Sequence, residues 1–132
     1  MSNDVKYIIV DDDSLNNLIC SLMLKRTLHE AGIKTFERPQ EGLVFIQNNI
    51  NSVVTHSVLF LDINMPTLTA WDFLGQYESF SEEIKKQISI YLLSSSISQR
   101  DRDKAKTYKY VKGFISKPLT TETILSIAGV EF

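Results

Sequence analysis

A chain of 132 residues, 43% hydrophobic and 23% charged, suits one globular domain with an ordinary core. Its net charge of −2 leaves no electrostatic footprint for nucleic acid, its one cysteine, Cys20, has no partner for an internal disulfide, and no apolar run approaches the roughly 20 residues of a membrane span. The polar start Met1-Ser2-Asn3-Asp4 is unlike a signal peptide, so a cytoplasmic, soluble protein with no membrane insertion and no direct nucleic-acid contact is expected.

Residues 5–10 read as a first strand that runs into Asp11-Asp12-Asp13. Over residues 14–29, Leu15, Leu18, Ile19, Leu22 and Met23 recur at helical spacing, with Asp13 or Ser14 as the cap and Gly32 as the stop. Residues 33–36 form a short second strand. Pro39 opens a second helix through Leu43, Val44 and Ile46, and residues 48–55 make a polar loop. The apolar run 58–61 is a third strand that ends abruptly in Asp62. A third helix over 68–77 and a fourth strand over 88–93 follow, the strand ending in Ser94-Ser95-Ser96. Next come a charged fourth helix over 98–108 and a fifth strand over 111–115 leading into Ser116-Lys117-Pro118. A fifth helix over 120–128, capped by Thr120 or Thr121, closes the chain.

Strict alternation of strand and helix predicts an α/β fold with a parallel sheet covered on both faces. With five βα units the expected form is the flavodoxin-like (βα)5 doubly wound sheet, strand order 2-1-3-4-5, as a single domain over residues 1–132. That order sets the first and third strands side by side at the switch point, where ligands bind beyond the strand tips. Four polar tips then converge: the Asp11–Asp13 cluster, Asp62, Ser94 and Lys117. Packed carboxylates repel unless a cation joins them, and a carboxylate pair suits a hard cation such as Mg²⁺ or Mn²⁺ that shares its sphere with water and a phosphate. A lysine supplies a point charge for another phosphate oxygen. A carboxylate is itself a nucleophile able to form an acyl phosphate, so the site suits phosphoryl acceptance on Asp62.

Four segments carry a resemblance: Val10-Asp11-Asp12, Leu61-Asp62-Ile63-Asn64-Met65-Pro66, Ser94-Ser95 and Lys117-Pro118. Together, in this order and each at a strand end, they resemble the receiver domain of two-component response regulators, over essentially the whole length. The resemblance implies that Asp62 is the phospho-acceptor and that Asp11 and Asp12 are the metal-site acids, Asp12 directly and Asp11 largely through water. It further implies that Asn64 lends its backbone carbonyl to the metal, that Lys117 pairs with the phosphate, and that Ser94 and Phe114 are the switch pair. The donor would be a sensor histidine kinase or histidine phosphotransfer protein. The output surface would be the fourth helix, fifth strand and fifth helix, and Lys117-Pro118 would be cis. The implied protein is a signalling phospho-acceptor whose only catalysis is its own phosphotransfer and dephosphorylation.

Ala70 stands eight residues after Asp62, where receivers usually have glycine, so the loop before it is expected to take a different shape. Phe114 replaces a frequent tyrosine and can signal only through packing. The Asn64 and Ser96 side chains would flank the acceptor. Two other readings compete. A phosphatase of the haloacid-dehalogenase type also uses an aspartyl nucleophile, but carries a second aspartate where this chain has Asn64. A phosphorylation-independent interaction module could keep the same fold. His29, His56 and Cys20 are isolated and read as structural or surface residues. The basic stretch 99–112 reads first as a solvated helix face and second as a surface for acidic ligands, with Tyr108 and Tyr110 as anchors.

Overall fold

The computed structural model describes residues 7–29, 32–49, 56–95 and 98–129. Five strands, β1 (Tyr7–Val10), β2 (Ile33–Phe36), β3 (Ser57–Asp62), β4 (Ile88–Ser94) and β5 (Val111–Ser116), form one parallel sheet in the order β2-β1-β3-β4-β5. The helices among the described residues are α1 (Ser14–Leu28), α2 (Pro39–Asn49), α3 (Ala70–Tyr77), α4 (Glu82–Lys86), α5 (Gln99–Ala105) and α6 (Thr121–Ala128). The expected α/β architecture and strand order are therefore observed. Residues 5, 6 and 50–55, assigned from sequence to the first strand and the polar loop, lie outside the described residues.

Strand alternation divides the core into two. Ile8, Val10, Leu59, Leu61, Ile90 and Leu92 face α2, α3, α4 and α5. Tyr7, Ile9, Val58, Phe60, Leu93 and Ile115 face α1 and α6. The central strands β1 and β3 are buried throughout because both faces are covered, as parallel sheets require. Helix starts follow side-chain capping: Asp13, Thr69, Ser81, Ser98 and Thr120 each accept from a backbone N–H of the next turn.

The structure corrects the sequence reading in four places. The apolar face of α1 points outward. Leu15, Leu18 and Leu22 are 62%, 54% and 56% exposed, and Ile19 is exposed as well. The inward face is Asn16, Asn17, Cys20 and Leu24, a set with its own helical spacing. The cause lies in Asp11. Its buried carboxylate and backbone carbonyl need hydrogen-bond partners, and the Asn16 and Asn17 amides supply them only with the helix turned this way. Second, α1 ends where expected, but the residue that closes it is His29 and not Gly32: His29 takes a positive φ of 60° and donates its N–H to the Lys25 carbonyl. Third, an unexpected short helix, α4, precedes β4. Its buried Lys85 donates to the Glu78 carbonyl at 2.8 Å and lies 3.4 Å from Glu82. Fourth, α3 starts at Ala70 and α5 spans only Gln99–Ala105, both shorter than the periodicity suggested.

The orientation of α1 has a measurable consequence. Leu18→Gln should change stability by no more than about 0.5 kcal/mol, as for other exposed sites. Leu24→Ala, at a fully buried position, should cost about 2–5 kcal/mol in equilibrium denaturation. The opposite ranking would mean that the helix is turned the other way.

Candidate functional site

Register alone brings the polar groups together. Val10 pairs with Leu61, so Asp11 and Asp62 leave adjacent strands at the same level. Asp62 pairs with Leu93, and Leu93 with Ile115, which puts Lys117 just past the same rim. Alternation then directs Asp11, Asp62 and Lys117 to one face of the sheet, the face of Ile9, Phe60 and Ile115 that α1 and α6 cover.

Asp11 is fully buried and Asp62 nearly so. Lys117 Nζ lies 3.0 Å from Asp11 Oδ2 and 3.1 Å from Asp62 Oδ1, one ammonium between two carboxylates. Asp11 is held further by the Asp13 N–H on Oδ1 at 2.9 Å and by Asn16 Nδ2 on Oδ2 at 2.6 Å. Asn17 Nδ2 donates to the Asp11 carbonyl at 2.8 Å. Asp12 is exposed, yet Asp11, Asp12 and Asp62 each present a carboxylate oxygen within 4.8 Å of the others. Such an all-oxygen anionic donor set fits a hard divalent cation.

The charges perturb one another. Burial, followed by the charge of Asp11, raises the Asp62 carboxyl above the ordinary carboxylate range, against the pull of Lys117 and of a backbone hydrogen bond from Asn64. Burial would lower the Lys117 ammonium, but its hydrogen bonds to Asp11 and Asp62 outweigh that and raise it. Burial, with Asp11 beyond it, pushes the Cys20 thiol up to about 11, which keeps this cysteine protonated and inert.

The other sequence candidates fall into place unevenly. Ser94 is buried at the tip of β4, and its carbonyl accepts from the Lys117 N–H at 2.9 Å. Ser94 and Phe114 lie on the opposite face of the sheet from Asp62: Ser94 alternates with Leu92, and Phe114 packs with the Ile90 cluster. Asn64 is exposed beside the acceptor, and Ser96 lies outside the described residues. The peptide bond Lys117-Pro118 is cis, as expected. Ala70, where glycine was expected, is simply the first residue of α3. Thr69 and Asp72 cap that helix reciprocally, and alanine is fully buried there without a positive φ. Tyr108 and Tyr110 are engaged within the chain, Tyr108 stacked on Trp71 and Tyr110 donating to Glu82 at 2.8 Å. Asn16 and Asn17 were missed from sequence. Two amides in the first turn after an acidic cluster were the available signal.

No protein-family model matches the sequence, and no curated protein sequence matches it. The structure does have counterparts. A two-component response regulator from Cytophaga hutchinsonii superposes with a TM-score of 0.84 over 96% of this chain and 95% of its own, at 23% identity. This is the receiver fold. A response regulator receiver protein from Dyadobacter fermentans gives the same TM-score at 20% identity, covering 96% of this chain and 99% of that one. The chemotaxis response regulator CheY4 of Vibrio cholerae gives 0.71 at 23% identity, over 96% and 97%. The acidic cluster of this chain thus stands at the strand tips of a receiver fold, and among the described residues no helix is long and apolar enough to cross a membrane.

Opposite stability effects are expected at the two ends of the Asp62–Lys117 pair. The raised Lys117 contributes stability that is complete below its unfolded pKa and lost only as pH climbs through its elevated folded value. Lys117→Ala should therefore cost about 2 kcal/mol near neutrality in metal-free protein, by leaving two buried carboxylates without their cation. The raised Asp62 contributes stability below its unfolded pKa that is lost as pH rises through its folded value, so its charge is a liability near neutrality. Asp62→Asn should raise the metal-free Tm by about 3–4 °C, equivalent to about 1 kcal/mol, and the gain should vanish below the ordinary carboxylate range. Thermal melts of the two variants across pH measure both effects.

Proposed function

We propose that this protein accepts a phosphoryl group on Asp62 in a metal-dependent phosphorelay, the donor being a phosphohistidine on a sensor histidine kinase or a histidine phosphotransfer protein. The observation that carries this reading is Asp62 itself. It is a buried carboxylate at a central strand tip, 3.1 Å from Lys117 and close to the oxygens of Asp11 and Asp12. In the transfer an Asp62 carboxylate oxygen bonds to phosphorus as the P–N bond to the donor imidazole breaks, and the departing nitrogen takes a proton from water. Asp11, Asp12, Asp62 and the Asn64 carbonyl are the groups that would hold Mg²⁺ or Mn²⁺, which would supply neutralising charge for the transferred oxygens.

The chain's own residues do the positioning. Asp13 and Asn16 hold Asp11 in place, and Asp11 in turn holds Lys117 beside Asp62. Once Asp62 carries the phosphoryl group, Lys117 is within reach of the new phosphoryl oxygens and can exchange a carboxylate partner for a phosphate one. Ser94 and Phe114 would relay the change to the surface of α5, β5 and α6, where output is by protein contact. The exposed Leu15, Leu18, Ile19 and Leu22 supply a docking face for the donor protein. Their helix is capped by Asp13, beside Asp12, so whatever covers the stripe is carried to the acid site.

Small phosphodonors test the reading without a cognate kinase. With Mg²⁺ and acetyl phosphate or phosphoramidate, whose P–N bond imitates phosphohistidine, intact mass should rise by one phosphoryl group. The adduct should be absent in Asp62→Asn and in metal-chelated samples. Its formation in Asp12→Asn should fall by at least tenfold. An adduct that persists in Asp62→Asn, or none in the wild type with either donor, would disprove the assignment.

A further inference from the structure

The loop that leaves Asp62 crosses the rim of the sheet and ends on its other face. Ile63 donates its N–H to the Leu93 carbonyl at 3.0 Å, and Met65 is buried in the same core cluster as Ile90 and Leu92. Thr69 closes the loop by starting α3, and that start is rigid. The Thr69 hydroxyl accepts from the Asp72 N–H at 3.1 Å, while the Asp72 carboxylate accepts from the Thr69 N–H at 3.4 Å. Trp71 lies within this first turn, so its backbone follows the end of the acceptor loop.

The indole of Trp71 is half-buried and grips the far end of α5. It stacks on Tyr108 with ring centres 5.7 Å apart and planes 21° from parallel, and Lys104 Nζ sits 4.9 Å from its centre. One ring thus holds the last turn of α5 and the stretch that follows it. The helix has few other attachments. Ala105 is its one buried residue, and the Arg102 guanidinium lies 5.8 Å from the Phe114 ring centre. An element with so little buried apolar surface opens at low cost, so a stack and a cation–π contact weigh heavily in its balance.

We propose that Trp71 is a clamp by which the acceptor loop holds α5 closed, a link from the acid site to α5 that uses neither Ser94 nor Phe114. The clamp itself needs no phosphoryl group. That the loop works it rests on the phosphoryl-acceptor reading: a shift of the loop on loading of Asp62 is carried through the capped turn to the indole, and changes its overlap with Tyr108 and Lys104.

Hydrogen–deuterium exchange of the full chain, followed over residues 99–105, tests the clamp. Trp71→Leu should speed exchange there about fivefold or more, and Lys104→Met roughly two- to fivefold. Trp71→Phe should keep most of the protection. Lys104→Met should add nothing to Trp71→Leu, and Lys106→Met, one turn position away from the ring, should change nothing. Exchange in β3 should stay native throughout. Unaltered exchange of α5 in Trp71→Leu, or an equal effect of Lys106→Met, would overturn the clamp. If Trp71→Leu also loosens β3, the exposed Lys104→Met decides, and no effect there refutes the proposal. A second arm tests the link to the loop. With Mg²⁺ and acetyl phosphate, and the adduct confirmed by intact mass, α5 exchange should change about twofold or more. Emission of Trp71, the single tryptophan of the chain, should shift with it. Trp71→Leu should take the same adduct with no change in α5. A response equal to that of the wild type would refute the link. If no adduct forms, the link falls with the phosphoryl-acceptor reading, and the clamp still stands or falls on the first arm.

Discussion

Two carboxylates and one ammonium share a space from which water is largely excluded, and the upper rim of the molecule is arranged around that fact. Asp11 and Asp62 are placed side by side by the register of β1 and β3, which the apolar packing of the sheet imposes. Neither can move away without slipping its strand, and a slip by one residue would turn every buried side chain of that strand to the other face. Their repulsion must therefore be met in place. Lys117 meets it by charge, and the Asp13 N–H and the Asn16 amide by hydrogen bonding. The cap of α1, the rotation of α1 about its axis and the path of the chain after β5 all serve this compensation.

That dependence explains what could be read from the sequence and what could not. Strand tips were legible because an apolar run broken by Asp62, or by Lys117 before a proline, is a local signal that needs no knowledge of packing. The parallel sheet followed from alternation, and the strand order from the form that five βα units commonly take. The rotation of α1 was not legible, since hydrophobic periodicity assumes that a helix buries its apolar face. This helix abuts a polar site, and its buried face begins with Asn16 and Asn17 for that reason. The five-residue α4 was too short to show a period, although Ser81 followed by Glu82 and Glu83 is a start signal. Ala70 is a separate case: Thr69 begins the helix early enough that alanine takes an ordinary helical conformation without a positive φ.

Stability is distributed unevenly as a result. The centre of the sheet, with Ile8, Leu59, Phe60 and Leu92 fully buried, is rich in apolar contact on both faces. The rim holds perturbed charges, and α5 has a single buried residue. Elements that open or shift at low cost are those with few buried apolar contacts. The residues with chemistry or an adaptable surface thus sit on a rigid support but are not themselves part of its most stable region.

The parity of the strands has one more effect. Asp11, Asp62 and Lys117 face α1 and α6, whereas Ser94 and Phe114 face α5. Between them stands the sheet, a wall one residue thick made of buried aliphatic side chains that admits no polar contact through it. Communication between the two compartments has to go over the top of that wall, and one backbone link already passes there: at the end of β4 the Ser94 carbonyl is tied to the Lys117 N–H. The sheet is thus the partition that isolates the charged chamber from the side covered by α5, and its rim is where the two sides meet.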